Sequence, residues 1–144
     1  MGAPVKVANV LVCGGRDYSD ADRVFAVLDG IARQLATAGA TVRIVTGDAA
    51  GADSLAARWA RERRVPFRVY EAKWKEHGRR AGPLRNQRML DENTVAMVVA
   101  FPGGRGTADM VRRADAARIE VRRVQATDYK GQGCYPRGLK SRGV

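Results

Sequence analysis

Residues 95–110 set the strongest limit on what this chain can fold into. Val95-Ala96-Met97-Val98-Val99-Ala100-Phe101 is an unbroken apolar run. Such a run suits a parallel strand covered on both faces. Pro102-Gly103-Gly104-Arg105-Gly106 follows, with three glycines in four positions. Glycine lets the backbone take φ > 0 and come close to a ligand. Thr107 then reads as the N-cap of a helix. The free N–H groups at such a helix start form an anion site. The plain alternative is a tight strand-to-helix connection that holds no ligand.

The rest of the chain repeats this unit. Residues 5–13 read as a first strand, followed by the loop Gly14-Gly15-Arg16-Asp17-Tyr18-Ser19-Asp20. A helix over 21–38 places Val24, Phe25, Leu28, Ile31, Ala32 and Leu35 on one face. Asp20 or Ser19 caps it, and Gly39 ends it. A second strand, 41–46, leads into Gly47-Asp48-Ala49-Ala50-Gly51-Ala52-Asp53 and a helix over 52–63. Pro66 opens a third strand, 67–70. Residues 72–83 read as irregular, and a short helix follows over 84–92. After the glycine turn come a helix to about 117 and a last strand, 119–125. The β-α alternation predicts an α/β, Rossmann-like fold: a parallel five-stranded sheet with helices on both faces. The glycine loops follow strands one, two and four, so all three lie on one sheet edge, where such folds bind ligands. One domain over 1–125 and a basic, Gly-rich tail over 126–144 are expected.

Composition narrows the partners. The chain has 144 residues and a formal net charge of +11. Residues 73–88 carry six basic residues against one acid, and residues 111–144 carry nine against three. These two segments hold the whole excess, which favours anionic partners. Two cysteines and one histidine, His77, call for neither a disulfide framework nor a metal cluster. No apolar run approaches the ~20 residues of a membrane span. The start of the chain lacks a signal-peptide layout, so no membrane contact and a cytoplasmic location are expected. No Walker-type P-loop and no proper Gly-x-Gly-x-x-Gly after the first strand occur, so no nucleoside-triphosphate or dinucleotide cofactor is expected.

Individual residues carry sharper expectations. Arg16 can clamp a phosphate, and Asp17 can bind ribose hydroxyls or a base. Asp48 and Asp53 bracket the second loop; Asp53 either reads the ligand or complements a helix start. Arg85 and Asn86 open the short helix within the basic segment, where they can reach a phosphate or polarise a leaving group. Trp74 reads as core rather than as a stacking platform for a base. Cys13 reads as an inert buried thiol, and His77 is given no role.

Together these stretches resemble a known family. Val12 to Tyr18, Gly47 to Asp53, Trp74, Gly78 to Asn86 and Phe101 to Met110 are similar to the YspA/cpYpsA-related branch of the SLOG superfamily. The resemblance covers about residues 7–124. It implies a Rossmann-like fold and a site for a nucleotide-derived ligand, in a superfamily linked to ligand sensing, mobile elements and defence. It makes Gly14, Gly15, Arg16, Asp17, Gly47, Asp48, Gly51, Asp53, Arg85, Asn86, Pro102, Gly103, Gly104, Arg105, Gly106 and Thr107 the candidate ligand-binding set.

LOG-type phosphoribohydrolases, more distant members, carry Pro-Gly-Gly-x-Gly-Thr-x-x-Glu and an upstream arginine that Arg85 resembles. Here Met110 stands at the glutamate position. Cleavage of an N-glycosidic bond builds positive charge at the anomeric carbon, and methionine cannot stabilise it. A hydrolase would need Asp109, Asp17 or Asp53 instead, so Arg85 and Asp109 stand as candidate catalytic residues. DprA-type members bind single-stranded DNA, which makes nucleic acid the alternative partner. Self-association into a homodimer is likewise implied only by the resemblance. Binding of a phosphorylated nucleoside or ADP-ribose-like ligand is the leading expectation, ahead of glycosidic cleavage and of single-stranded nucleic-acid binding.

Overall fold

A computed structural model describes residues 6–126. The tail expected from residue 126 lies, but for Ala126 itself, outside them, as does Cys134. The elements alternate as expected: β1 (Lys6–Cys13), α1 (Ala21–Thr37), β2 (Ala40–Gly47), α2 (Ala52–Arg63), β3 (Phe67–Tyr70), α3 (Trp74–His77), a 3₁₀ turn (Gly78–Arg80), α4 (Ala81–Asp91), β4 (Val95–Ala100), α5 (Arg105–Ala116) and β5 (Glu120–Arg123). The sheet order is β3-β2-β1-β4-β5. Every neighbouring pair is parallel. The winding reverses between β1 and β4, which opens a crevice at their carboxyl ends.

The period-two geometry of a strand divides the core. Val10 and Val12 of β1, Ile44 of β2 and Val99 of β4 pack against Val24, Leu28 and Ile31 of α1 and Ala56, Trp59 and Ala60 of α2. Leu11, Val45 and Val98 point the other way, onto Met89 and Leu90 of α4 and Met110 and Ala114 of α5. This two-sided burial is why the central strands read as continuous apolar runs. Helices α1 and α2 are also pinned by a polar junction. Trp59 Nε1–H donates to Asp29 Oδ1 at 2.9 Å, and the Arg63 guanidinium donates to both Asp29 oxygens.

Two elements differ from the sequence reading. Residues 72–83 are not irregular throughout: they contain α3, the 3₁₀ turn and the start of α4, which begins at Ala81. Pro83 marks no helix boundary. It sits in the first turn of α4, where N–H groups have no intrahelical partner in any case. The second difference concerns Thr107. The N-cap of α5 is Gly104, and Thr107 lies inside the first turn.

Candidate functional site

The crevice between β1 and β4 is a cleft of about 640 Å³, within the range of small-molecule sites. One wall is the β1–α1 loop from Gly14 to Tyr18; the facing wall is the β4–α5 loop from Pro102 to Thr107. Ala49, Asp53, Arg85 and Asn86 complete it. The two walls are joined by backbone. Gly15 N–H donates to Pro102 O at 2.8 Å, and Phe101 N–H donates to Cys13 O at 2.9 Å. Such contact requires glycine: a Cβ at Gly103 would lie 2.6 Å from Gly15 N.

The first turn of α5 faces this cleft. Ala108 is the residue whose N–H first bonds back along the helix, to Gly104 O at 3.0 Å. The N–H groups of Arg105, Gly106 and Thr107 precede that first helical bond and are available to an anion. No acidic residue occupies the first turn to compete. Arg16 and Arg105, both exposed, add positive charge at the mouth.

Arg85 is held rather than loose. Its side chain is 12% exposed. Nη1 donates to Asp48 Oδ1 at 3.1 Å and to Tyr70 O at 3.3 Å, and Nε donates to Asn86 Oδ1 at 3.1 Å. Asn86 Nδ2 in turn donates to Asp109 Oδ2 at 3.0 Å and to Gly106 O at 3.3 Å. Asn86 therefore ties α4 to the first turn of α5.

Asp53 is the buried acid of the cleft. It lies in the first turn of α2, is 6% exposed, and its Oδ2 accepts Ala49 N–H at 3.3 Å. Burial pushes its carboxyl up to about 6, against the pull of the Arg85 guanidinium. Cys13, also on the cleft wall, is pushed up to about 12, first by burial and then by Asp53. A thiol held protonated in this way is unreactive at neutral pH.

The structure brings most of the sequence candidates together, but not all. Asp17 lines the cleft. Gly47, Asp48 and Gly51 do not line it. Gly47 leaves room for the Arg85 guanidinium and the Asp53 carboxylate, while Gly51 lets the second loop dock on the first. These two glycines serve approach of the chain to itself. Asp48 instead lines a neighbouring recess.

Asp109 also lies away from the cleft. Its carboxylate is consumed by Asn86, Arg112 and Arg113. Burial raises its carboxyl, but the hydrogen bonds from Arg113 and Asn86 outweigh this and leave it below the usual range. It is a junction between α4 and α5, and Met110 beside it is fully buried in the core. Asp109→Ala is expected to lower unfolding free energy by about 2 kcal/mol, chiefly the penalty for leaving the buried Asn86 amide without its acceptor. Urea denaturation measures this; a loss below about 0.5 kcal/mol would show the junction to be idle.

Trp74, read from the sequence as core, is 51% exposed. The sequence reading did not include Tyr18, which lines the cleft with its ring 5.3 Å from that of Phe101. Its signal was an aromatic residue directly after Gly14-Gly15-Arg16-Asp17.

Comparison with known proteins agrees with this architecture. The X-ray structure of DNA processing protein A (DprA) from Streptococcus pneumoniae matches with a TM-score of 0.68 at 18% identity, over 87% of this chain and 53% of that one. The chain thus spans about half of that protein, and at this identity the likeness is one of fold. The Gene 61 protein of Mycobacterium phage D29 is 36% identical over 119 residues, covering 78% of this chain and 92% of the relative. A family model matches residues 8–77, which hold the Gly14–Gly15 loop, the second glycine loop and Trp74. With a relative this similar along nearly its whole length, the chain belongs to the YspA, cpYpsA-related SLOG family.

Proposed function

We propose that the cleft binds a phosphorylated nucleoside or an ADP-ribose-like derivative. The observation that carries this reading is the glycine-lined crevice at the β1/β4 switch point, lined on one side by the first-turn residues Arg105, Gly106 and Thr107 of α5. The phosphate sits on Gly103 to Thr107, and Arg16 and Arg85 add charge. Asp17 and Asp53 read polar groups of the sugar. The phage relative fits the mobile-element setting that the family implies. Titration calorimetry against nucleoside monophosphates and ADP-ribose tests the reading. Arg16→Ala is expected to weaken binding about tenfold, the effect of one charged hydrogen bond. Absence of binding at millimolar ligand would sink the proposal.

One observation favours a hydrolytic second reading. Asp53 is a cleft carboxyl pushed up to about 6, a range suited to proton transfer at neutral pH. It replaces Asp109 as the acid that would have to act in N-glycosidic cleavage. Free base released from a nucleoside monophosphate, and lost in Asp53→Asn, supports this reading; release that survives Asp53→Asn rejects it.

A nucleic-acid reading rests on the exposed Lys73, Lys75, Arg79, Arg80 and Arg88. It predicts affinity for single strands that falls steeply with salt; salt-independent affinity would remove it.

A further inference from the structure

Beside the cleft lies a smaller recess of about 220 Å³, lined by Arg16, Asp48, Ala49, Ala50, Trp74 and Arg85. Arg16, Ala49 and Arg85 line the cleft as well. The recess is therefore its lateral extension, toward β2 and away from the phosphate end. Its size is below the ~300 Å³ at which whole small-molecule sites begin. It is the size of a subsite.

We propose that this recess takes the base of the nucleotide: Trp74 stacks on the ring, and Asp48 accepts a hydrogen bond from an exocyclic amino group. This rests on the nucleotide reading above and adds to it the class of base.

Trp74 is the first reason. Tryptophan is on average a highly buried residue, as Trp59 is here at 1% exposure. Trp74 leaves 51% of its surface in solvent. It is nevertheless seated, because a Cβ at Gly82 would lie 3.5 Å from its Cη2. Among the described residues no cation stacks on its ring; all five such pairs use Phe25, Phe67 or Tyr70. A supported indole with open aromatic surface, on the rim of a nucleotide-sized cleft, is a platform for a base.

Asp48 is the second reason. Its Oδ1 is fixed by Arg85 Nη1 at 3.1 Å and by Ala72 N–H at 3.4 Å. Among the described residues no donor reaches Oδ2. A carboxylate oxygen only accepts, so a rigidly held Oδ2 selects a base edge that donates. Adenine offers such an edge through its amino group. Hypoxanthine presents a carbonyl at the same place, which the carboxylate repels.

Fluorescence of the full-length protein tests this, since the buried Trp59 and the exposed Trp74 separate by acrylamide quenching. Trp74→Phe assigns the quenchable component. AMP is expected to shield it, whereas ribose 5-phosphate binds without shielding. Trp74→Ala should weaken AMP about tenfold to a hundredfold and leave ribose 5-phosphate within about twofold. Trp74→Phe, which keeps a ring, should retain most of the affinity. IMP should bind at least tenfold more weakly than AMP, and Asp48→Asn should erase that preference.

Four results would overturn the proposal. AMP that binds by calorimetry while Trp74 stays fully quenchable removes the subsite and leaves the cleft reading standing. Equal affinity for AMP and IMP removes the role of Asp48. Shielding of Trp74 that grows with protein concentration, without nucleotide, assigns the indole to self-association instead. If none of the three ligands binds, the subsite and the cleft reading fall together.

Discussion

Gly51→Ala is expected to lower the unfolding free energy by about 3 kcal/mol or more, read as a fall in Tm of about 10 °C. Two independent penalties add. Gly51 has φ +76° and ψ −128°, a region essentially closed to other residues and costing about 1–3 kcal/mol. Its missing Cβ also points at the β1–α1 loop: a methyl group would collide with Gly15 O and lie 2.6 Å from the Arg16 carbonyl. Overpacking of this kind adds about 1–3 kcal/mol.

The colliding atoms are backbone, so no rotamer change can relieve them. The collision would also break the bond from Ala52 N–H to Gly15 O, 3.1 Å in the native chain. Because Gly15 is also bonded to Pro102, the damage should spread to the cleft, and nucleotide binding should fall with stability. Thermal unfolding of Gly51→Ala against Gly39→Ala makes the comparison internal. Gly39 also has a positive φ, +81°, but a Cβ there meets nothing. The difference between the two isolates the loop–loop collision, and equal Tm values would remove it.

Asp53→Asn is expected to act in the opposite direction. The folded-state carboxyl is raised to about 6, against about 3.9 in an unfolded chain. Well below pH 4 the group is protonated in both states and contributes nothing to pH dependence. As pH rises from about 4 to about 6, the unfolded chain ionises and the folded one resists. Stability is lost over that window and stays lost above it, in total about 3 kcal/mol.

Asparagine cannot ionise, so the variant should gain up to about 3 kcal/mol over the parent at pH 7.5 and almost nothing at pH 4. Asp109 contributes with the opposite sign: its carboxyl is lowered, so its share is present at neutral pH and lost on acidification. That share is common to both proteins and cancels in the difference. Urea unfolding from pH 4 to 8 measures the difference curve. A curve that is flat with pH would show that Asp53 carries no buried charge. A stabilised variant with weaker ligand binding would mark Asp53 as kept for function at the expense of stability.

The sequence read some elements closely for local reasons. Helix α2 carries its bounds in its own residues, with Gly51 before Ala52 and Arg64, in the left-handed conformation, closing the end. Strand β3 follows directly from Pro66 and its apolar neighbours. Other elements failed for equally local reasons. The helix expected from residue 84 begins at Ala81, and Pro83 is accommodated because a first helical turn needs no N–H from it. Thr107 read as a cap because threonine caps well. The cap fell on Gly104, because Gly103 is drawn against Gly15 N and the chain turns into the helix three residues sooner.

By itself, the sequence determined the layer order, the parallel sheet and the edge on which its glycine loops gather. Hydrophobic periodicity and glycine placement are local properties, and right-handed crossovers leave them few arrangements. Tertiary structure alone decided which polar groups are free. Asp53, Asp48 and Asp109 are three aspartates near glycine loops, alike in the sequence. Burial makes the first a perturbed cleft acid. Arg85 fixes the second at the rim. Asn86, Arg112 and Arg113 consume the third. Arg112 and Arg113 are helical neighbours of Asp109, but Asn86 lies 23 positions from it and Arg85 37 positions from Asp48, so no local pattern could have told the three apart. The same holds for Trp74, whose exposure is set by how α4 packs beside it rather than by its neighbours in the chain.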